Sequence, residues 1–117
     1  MELSSSEGYK RLEPEVKARI CNGCGAKGMF DFVPDNIYGL QICEACNIHD
    51  YDYLMGKVLT DKHKADIRFL GNMMILINRG NIILRFFRRR VALTYYEAVR
   101  ELGDKAFWKG KENPDEN

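Results

Sequence analysis

Through most of the second half of the chain, apolar positions recur at steps of three and four residues, the spacing that places side chains on one face of a helix. Between Gln41 and Gly56 the series Ile42, Cys43, Cys46, His49, Asp50 and Tyr53 predicts a first helix, with Gly56 as its stop. Thr60 and Asp61 offer a cap for a second helix, in which Asp66, Phe69, Leu70, Met73, Met74 and Ile77 share a face. An acid, Asp66, thus sits on a stripe that a core would bury. After a break at NRGN (78–81), Leu84, Phe87, Val91, Tyr95, Ala98 and Leu102 form the stripe of a third helix ending at Gly103.

Upstream the periodicity fades. Residues 1–18 are polar and serine-rich, with Pro14 interrupting a charged stretch, and predict a flexible lead-in with little order. The run CNGCGAKG (21–28) has the glycine content of a tight loop that turns its backbone groups toward something. Residues 29–40 mix aromatics with Pro34, Asn36 and Gly39, which predicts an irregular packed segment with a turn at Pro34-Asp35-Asn36. The expected architecture is mainly α: a single domain over residues 19–110, two antiparallel helices joined by a short connection, a third long helix packed across them, and a polar acidic tail at 111–117.

Composition adds few constraints. A formal net charge of +1 in 117 residues, with 45% hydrophobic and 30% charged residues, is that of an ordinary globular domain and argues against a nucleic-acid partner. The local distribution is less even, because Arg79, Arg85, Arg88, Arg89 and Arg90 crowd one stretch. Those arginines form either a solvated helix face or, with the apolar residues of ILRFFRRR (83–90), an interfacial patch for an anionic membrane surface. Phe87 is assigned to the core. The N-terminal residues lack the basic start and continuous apolar core of a secretory signal, and no run reaches membrane-spanning length, so neither export by that route nor insertion is expected.

The chemistry concentrates on the first two helices. If they pack antiparallel, His49 of one meets Asp66 of the other, and a buried acid holding an imidazole in one tautomer leaves the second ring nitrogen able to take a proton. The competing reading is a core histidine satisfied by a hydrogen bond. Asp50 follows His49 and points about 100° around the helix, where it suits a hard cation. Calcium takes carboxylate and carbonyl oxygens, and the loop at 22–28 could supply carbonyls from Gly23, Gly25 and Lys27 if a Cys24–Cys46 disulfide tied it to the helix one turn before His49.

Three segments of the chain resemble the secreted phospholipases A2. ACNIHDYDY, with Cys46, His49, Asp50 and Tyr53, resembles the family's active-site helix pattern CCxxHDxCY; NGCG (22–25) looks like its calcium loop, and ADIRF (65–69) like the later helix whose aspartate orients the histidine. The order and approximate spacing agree over residues 21–72, and the likeness is greatest to the divergent, disulfide-poor members and to phospholipase-like proteins of bacteria and their phages. The resemblance implies a phospholipase A2-like fold with an N-terminal metal-binding loop, and calcium-dependent hydrolysis of the sn-2 ester of a phospholipid. His49 would be the general base, Asp66 its orienter and Tyr53 a hydrogen-bond donor to Asp66. Asp50 and the carbonyls of Gly23, Gly25 and Lys27 would hold calcium, and the Gly25 amide would help stabilise the oxyanion. It also leaves open a phage-associated setting or export by another route.

The chain departs from that pattern at Ala45 and Asp52, where the family has cysteines, and at Lys27, where its loop commonly has glycine. Two further readings stand beside it. Cys21, Cys24, Cys43 and Cys46 form two CxxC pairs separated by 18 residues, the spacing of a four-thiolate zinc site in an interaction module. Disulfides Cys21–Cys43 and Cys24–Cys46 are the alternative use of the same thiols. The third reading keeps the fold and loses the turnover, making the chain a lipid-binding or structural protein.

Overall fold

The computed structural model describes residues 2–20, 34 and 36–112. Among these the elements run α1 (Glu7–Lys10), α2 (Pro14–Ile20), a hairpin of β1 (Asn36–Ile37) and β2 (Leu40–Gln41), α3 (Cys43–Met55), α4 (Leu59–Arg79), α5 (Arg85–Leu102) and α6 (Asp104–Trp108). The protein is mainly helical, and its core lies where α3, α4 and α5 meet: Cys46 and Tyr53 from α3, Phe69, Met73 and Ile77 from α4, Ala92 and Val99 from α5, with Phe107 of α6 closing one end. The glycine-rich run at 21–28, read as a loop, lies outside the described residues.

Residues 56–58 turn the chain back on itself. Tyr53 packs beside Lys62, and His49 beside Asp66, pairs that step in opposite senses along the two helices, so α3 and α4 are antiparallel. The expected cap at Thr60 and Asp61 is not where α4 begins. The helix starts two residues earlier, at Leu59, because the Asp61 carboxylate reaches back from the first turn to accept the backbone N–H groups of Lys57 (2.9 Å) and Val58 (3.3 Å). Val58 has no side-chain acceptor, so Asp61 alone satisfies these donors.

Of the expected turn at Pro34-Asp35-Asn36, Asp35 lies outside the described residues and Asn36 opens β1; a tight turn lies at Tyr38 and Gly39, both with positive φ (47° and 80°). Two positive φ values are what a two-residue hairpin needs, but a tyrosine adopts that conformation only when something holds it. Arg88 provides the hold, donating from Nε to the Ile37 carbonyl (3.2 Å) and from Nη2 to the Tyr38 carbonyl (2.7 Å).

That anchor also explains why the α5 stripe is rotated from the one expected. Arg88, Ala92 and Val99 are the buried positions, Val91, Tyr95 and Ala98 flank them, and Phe87, assigned to the core from the sequence, is 53% exposed, as Leu102 is exposed at the far end. A guanidinium placed inward by two carbonyls turns the neighbouring aromatic out to solvent.

The N-terminal segment, expected to carry little order, forms α1 and α2 and docks on the helices. Ser4 and Asn72 exchange a pair of hydrogen bonds, Ser4 N to Asn72 Oδ1 (2.7 Å) and Asn72 Nδ2 to Ser4 O (2.9 Å), with Asn72 fully buried. Tyr9 packs against Ile48 and Tyr51 and donates its hydroxyl to Glu44, which also pairs with Lys17 at 3.0 Å. Asn72→Ala should therefore release residues 2–12: faster amide exchange and proteolysis there, with a loss on the order of 1–3 kcal/mol for the unmade pair. Unchanged protection of that segment would contradict the docking.

Candidate active site

At the centre of the α3–α4 contact the Asp66 carboxylate is fully buried and engaged on both oxygens. Oδ1 lies 2.7 Å from His49 Nε2 and accepts the Tyr53 hydroxyl at 2.6 Å; Oδ2 accepts from Lys62 Nζ at 2.9 Å. His49 and Tyr53 are one turn apart on α3, as Lys62 and Asp66 are on α4, so helical spacing alone aims both pairs at the same point. The imidazole is 1% exposed, stacked on Phe69 at a centroid distance of 4.6 Å, with the Tyr53 ring at 4.3 Å. These walls fix the ring plane and exclude bulk water.

The electrostatics follow from that burial. Desolvation pushes the imidazole below its ordinary pKa, against the opposing pull of Asp66, so His49 is neutral near pH 7. Burial works to raise the Asp66 pKa, but the hydrogen bonds from His49, Tyr53 and Lys62 outweigh it and hold the carboxyl below its usual range. Desolvation and the adjacent Asp66 charge push Tyr53 far up, so its hydroxyl stays a donor. With Nε2 committed to an ionised carboxylate, the neutral ring carries its proton there, and Nδ1 is the nitrogen left with a lone pair.

Gly103 borders the same cluster. Its φ of −82° is open to any residue; what it lacks is room, since a Cβ there would stand 2.6 Å from the Tyr53 hydroxyl oxygen. Asp52, where the resembled family has a cysteine, forms an ion pair with Arg68 (3.1 Å) that links α3 to α4 on another face.

Asp50 is buried beside His49 and carries a hard oxygen donor of the type calcium takes. The proposed carbonyl donors Gly23, Gly25 and Lys27 lie outside the described residues, as does the Gly25 amide. Among the described residues no three His, Cys, Asp or Glu side chains gather as a metal-holding group. The described residues thus offer one buried carboxylate at this position. Cys43 and Cys46 stand in the first turn of α3, Cys46 in the core and Cys43 with its sulfur 3.4 Å from Gln41 Oε1; Cys21 and Cys24 are outside the described residues.

Lys62 was not singled out from the sequence, although a lysine four residues before a stripe acid is the signal that could have found it. Arg88 and the Tyr9–Glu44 pair were missed for another reason: their partners lie more than thirty residues away.

No family model, curated protein or solved structure matches the chain. The function must be read from this geometry.

Replacing Asp66 by Asn would leave the Lys62 ammonium buried without its carboxylate, an expected loss of about 3–5 kcal/mol in urea unfolding at pH 7. Because the folded Asp66 pKa is depressed, the wild-type advantage is fully present above the unfolded carboxylate value of about 3.9 and is lost as pH falls through the lower folded value. The difference between wild type and D66N should thus hold at about pH 5 and shrink below about pH 4; a gap independent of pH would contradict an ionised Asp66.

Proposed function

We propose that the chain is a calcium-dependent hydrolase of the sn-2 ester of phospholipids, of the phospholipase A2 type. The observation that carries this reading is the buried His49–Asp66–Tyr53 cluster: an imidazole nitrogen 2.7 Å from a buried carboxylate oxygen, immediately followed in sequence by the buried acid Asp50.

In this reading His49 Nδ1 takes a proton from water as the water oxygen attacks the ester carbonyl. Asp66 keeps the ring in the Nε2–H tautomer and stabilises the imidazolium that forms, while the Tyr53 hydroxyl holds the carboxylate in place. The imidazolium then returns its proton to the departing alkoxide of the lysolipid, so that the products are a fatty acid and a lysophospholipid. Calcium, held by Asp50 and the carbonyls of Gly23, Gly25 and Lys27, would supply positive charge for the phosphate and the carbonyl oxygen. The Gly25 amide would donate to the same oxygen, and a Cys24–Cys46 disulfide would tie that loop to α3.

The partner in this reading is a phospholipid surface, and the start of α5 suits one. Ile82 and Ile83 are 73% and 77% exposed, Phe86 and Phe87 project beside them, and Arg85, Arg89 and Arg90 surround them, with no acidic residue anywhere from 67 to 96. Apolar tips ringed by cations match an anionic bilayer in both chemistry and charge.

The deciding assay is hydrolysis of a fluorogenic sn-2 phospholipid in mixed micelles with calcium and then with chelator, run beside metal analysis. His49→Gln should lower turnover by roughly 10²–10⁴-fold, with the fold retained by circular dichroism; full activity in H49Q would end the proposal. One zinc per chain without turnover would point instead to the Cys21, Cys24, Cys43, Cys46 module, and vesicle binding without turnover to a silent lipid binder. For the surface, R85Q/R89Q/R90Q should weaken binding to anionic vesicles by roughly 100-fold, at about 1 kcal/mol per arginine, and should leave hydrolysis of a short-chain, dispersed phospholipid unchanged.

A further inference from the structure

Lys62 is a charged side chain with no contact to water. Its ammonium has three N–H groups, and three acceptors stand within hydrogen-bond reach: Asp66 Oδ2 at 2.9 Å, Arg100 O at 3.2 Å and Val99 O at 3.3 Å. Val99 and Arg100 occupy the last turn of α5, where the dipole favours a cation; the Val99 carbonyl also accepts the N–H of the cap residue Gly103 at 2.9 Å. Asp104 adds a carboxylate at 3.7 Å. One ammonium therefore joins two helices: it arises from α4, caps the C-terminus of α5, and gives its remaining proton to the α4 acid that faces His49.

The two oxygens of Asp66 divide the work. Oδ1 takes His49 and Tyr53 from α3, and Oδ2 takes Lys62, itself tethered to α5. A carboxylate held on one oxygen alone can swing about its Cβ–Cγ bond; held on both, it has one orientation, and that orientation points Oδ1 at the imidazole. A lysine that served only to neutralise the carboxylate would need no bonds to α5.

We propose that Lys62 is a positioning residue for the His49–Asp66 pair, fixing Asp66 Oδ2 from the C-terminus of α5 so that Oδ1 holds the imidazole in its working orientation. Its kinetic consequence rests on the hydrolase reading above; its structural consequence does not. Arginine is a poor substitute here, because a flat guanidinium fork does not reproduce three donors diverging from one nitrogen.

The test combines a signal that needs no activity with a mutant cycle that does. In metal-free wild type the His49 Nε2 proton should give a protected downfield resonance by NMR. In K62M it should broaden or move while the helical content stays; an unchanged resonance would overturn the proposal whether or not the protein turns over lipid. For kinetics, a short-chain phospholipid dispersed as monomers keeps membrane binding out of the measurement. K62M should lower kcat about 10- to 100-fold with KM unchanged, the size of effect expected when a catalytic group is misplaced by about an ångström. K62M/D66N should be no slower than D66N, since Lys62 acts through Asp66, and a further drop in the double variant would refute that route. Should K62M alone not fold, K62M/D66N removes both charges together and its comparison with D66N still decides. Absence of turnover in the wild type itself would count against the hydrolase reading, leaving the NMR result to judge the positioning role.

Discussion

A carboxylate removed from water between packed helices is costly unless every lone pair it presents is answered, and Asp66 is answered from three directions. His49 and Tyr53 approach from α3, Lys62 from its own helix, and through Lys62 the last carbonyls of α5 join the same network. The arrangement of the three long helices is the geometry that this one group requires. Close packing follows from it: Phe69 stacks on the imidazole, Phe107 meets the Tyr53 ring edge-on at 5.3 Å, and position 103 has no room for a side chain.

The same network determines which charges exist. Burial favours the neutral imidazole, while the contacts with His49, Tyr53 and Lys62 favour the ionised carboxylate. A neutral imidazole held in one orientation by a buried acid is what the proposed hydrolase mechanism asks of its base. At the start of α5 the opposite arrangement holds: Phe86 and Phe87 stand outside while Arg88, the next residue of the run, is turned inside.

Much of this was legible in one dimension. Helical periodicity located α3, α4 and α5 to within two residues at most ends, because an apolar stripe at three- and four-residue steps has few other uses. It also showed an acid on the α4 stripe and, given a short connection, which histidine that acid would face, since antiparallel helices pair positions whose numbers have a nearly constant sum. Local rules sufficed where the partners are local. They failed where a residue's environment comes from distant chain: the face of α5 turned by the Ile37 and Tyr38 carbonyls, and the N-terminal segment held by Asn72.

The sequence by itself determined the three long helices, their stops at Gly56 and Gly103, and the presence of His49, Asp50, Tyr53 and Asp66 at spacings able to converge. Only the tertiary structure decided that Lys62 joins that cluster, that Phe87 faces solvent, that the tight turn sits at Tyr38-Gly39, and that residues 2–12 dock rather than trail. The physical reason is that helix propensity and periodicity are properties of neighbours in sequence. The burial of a charge is settled by whichever groups, however distant along the chain, can supply its hydrogen bonds.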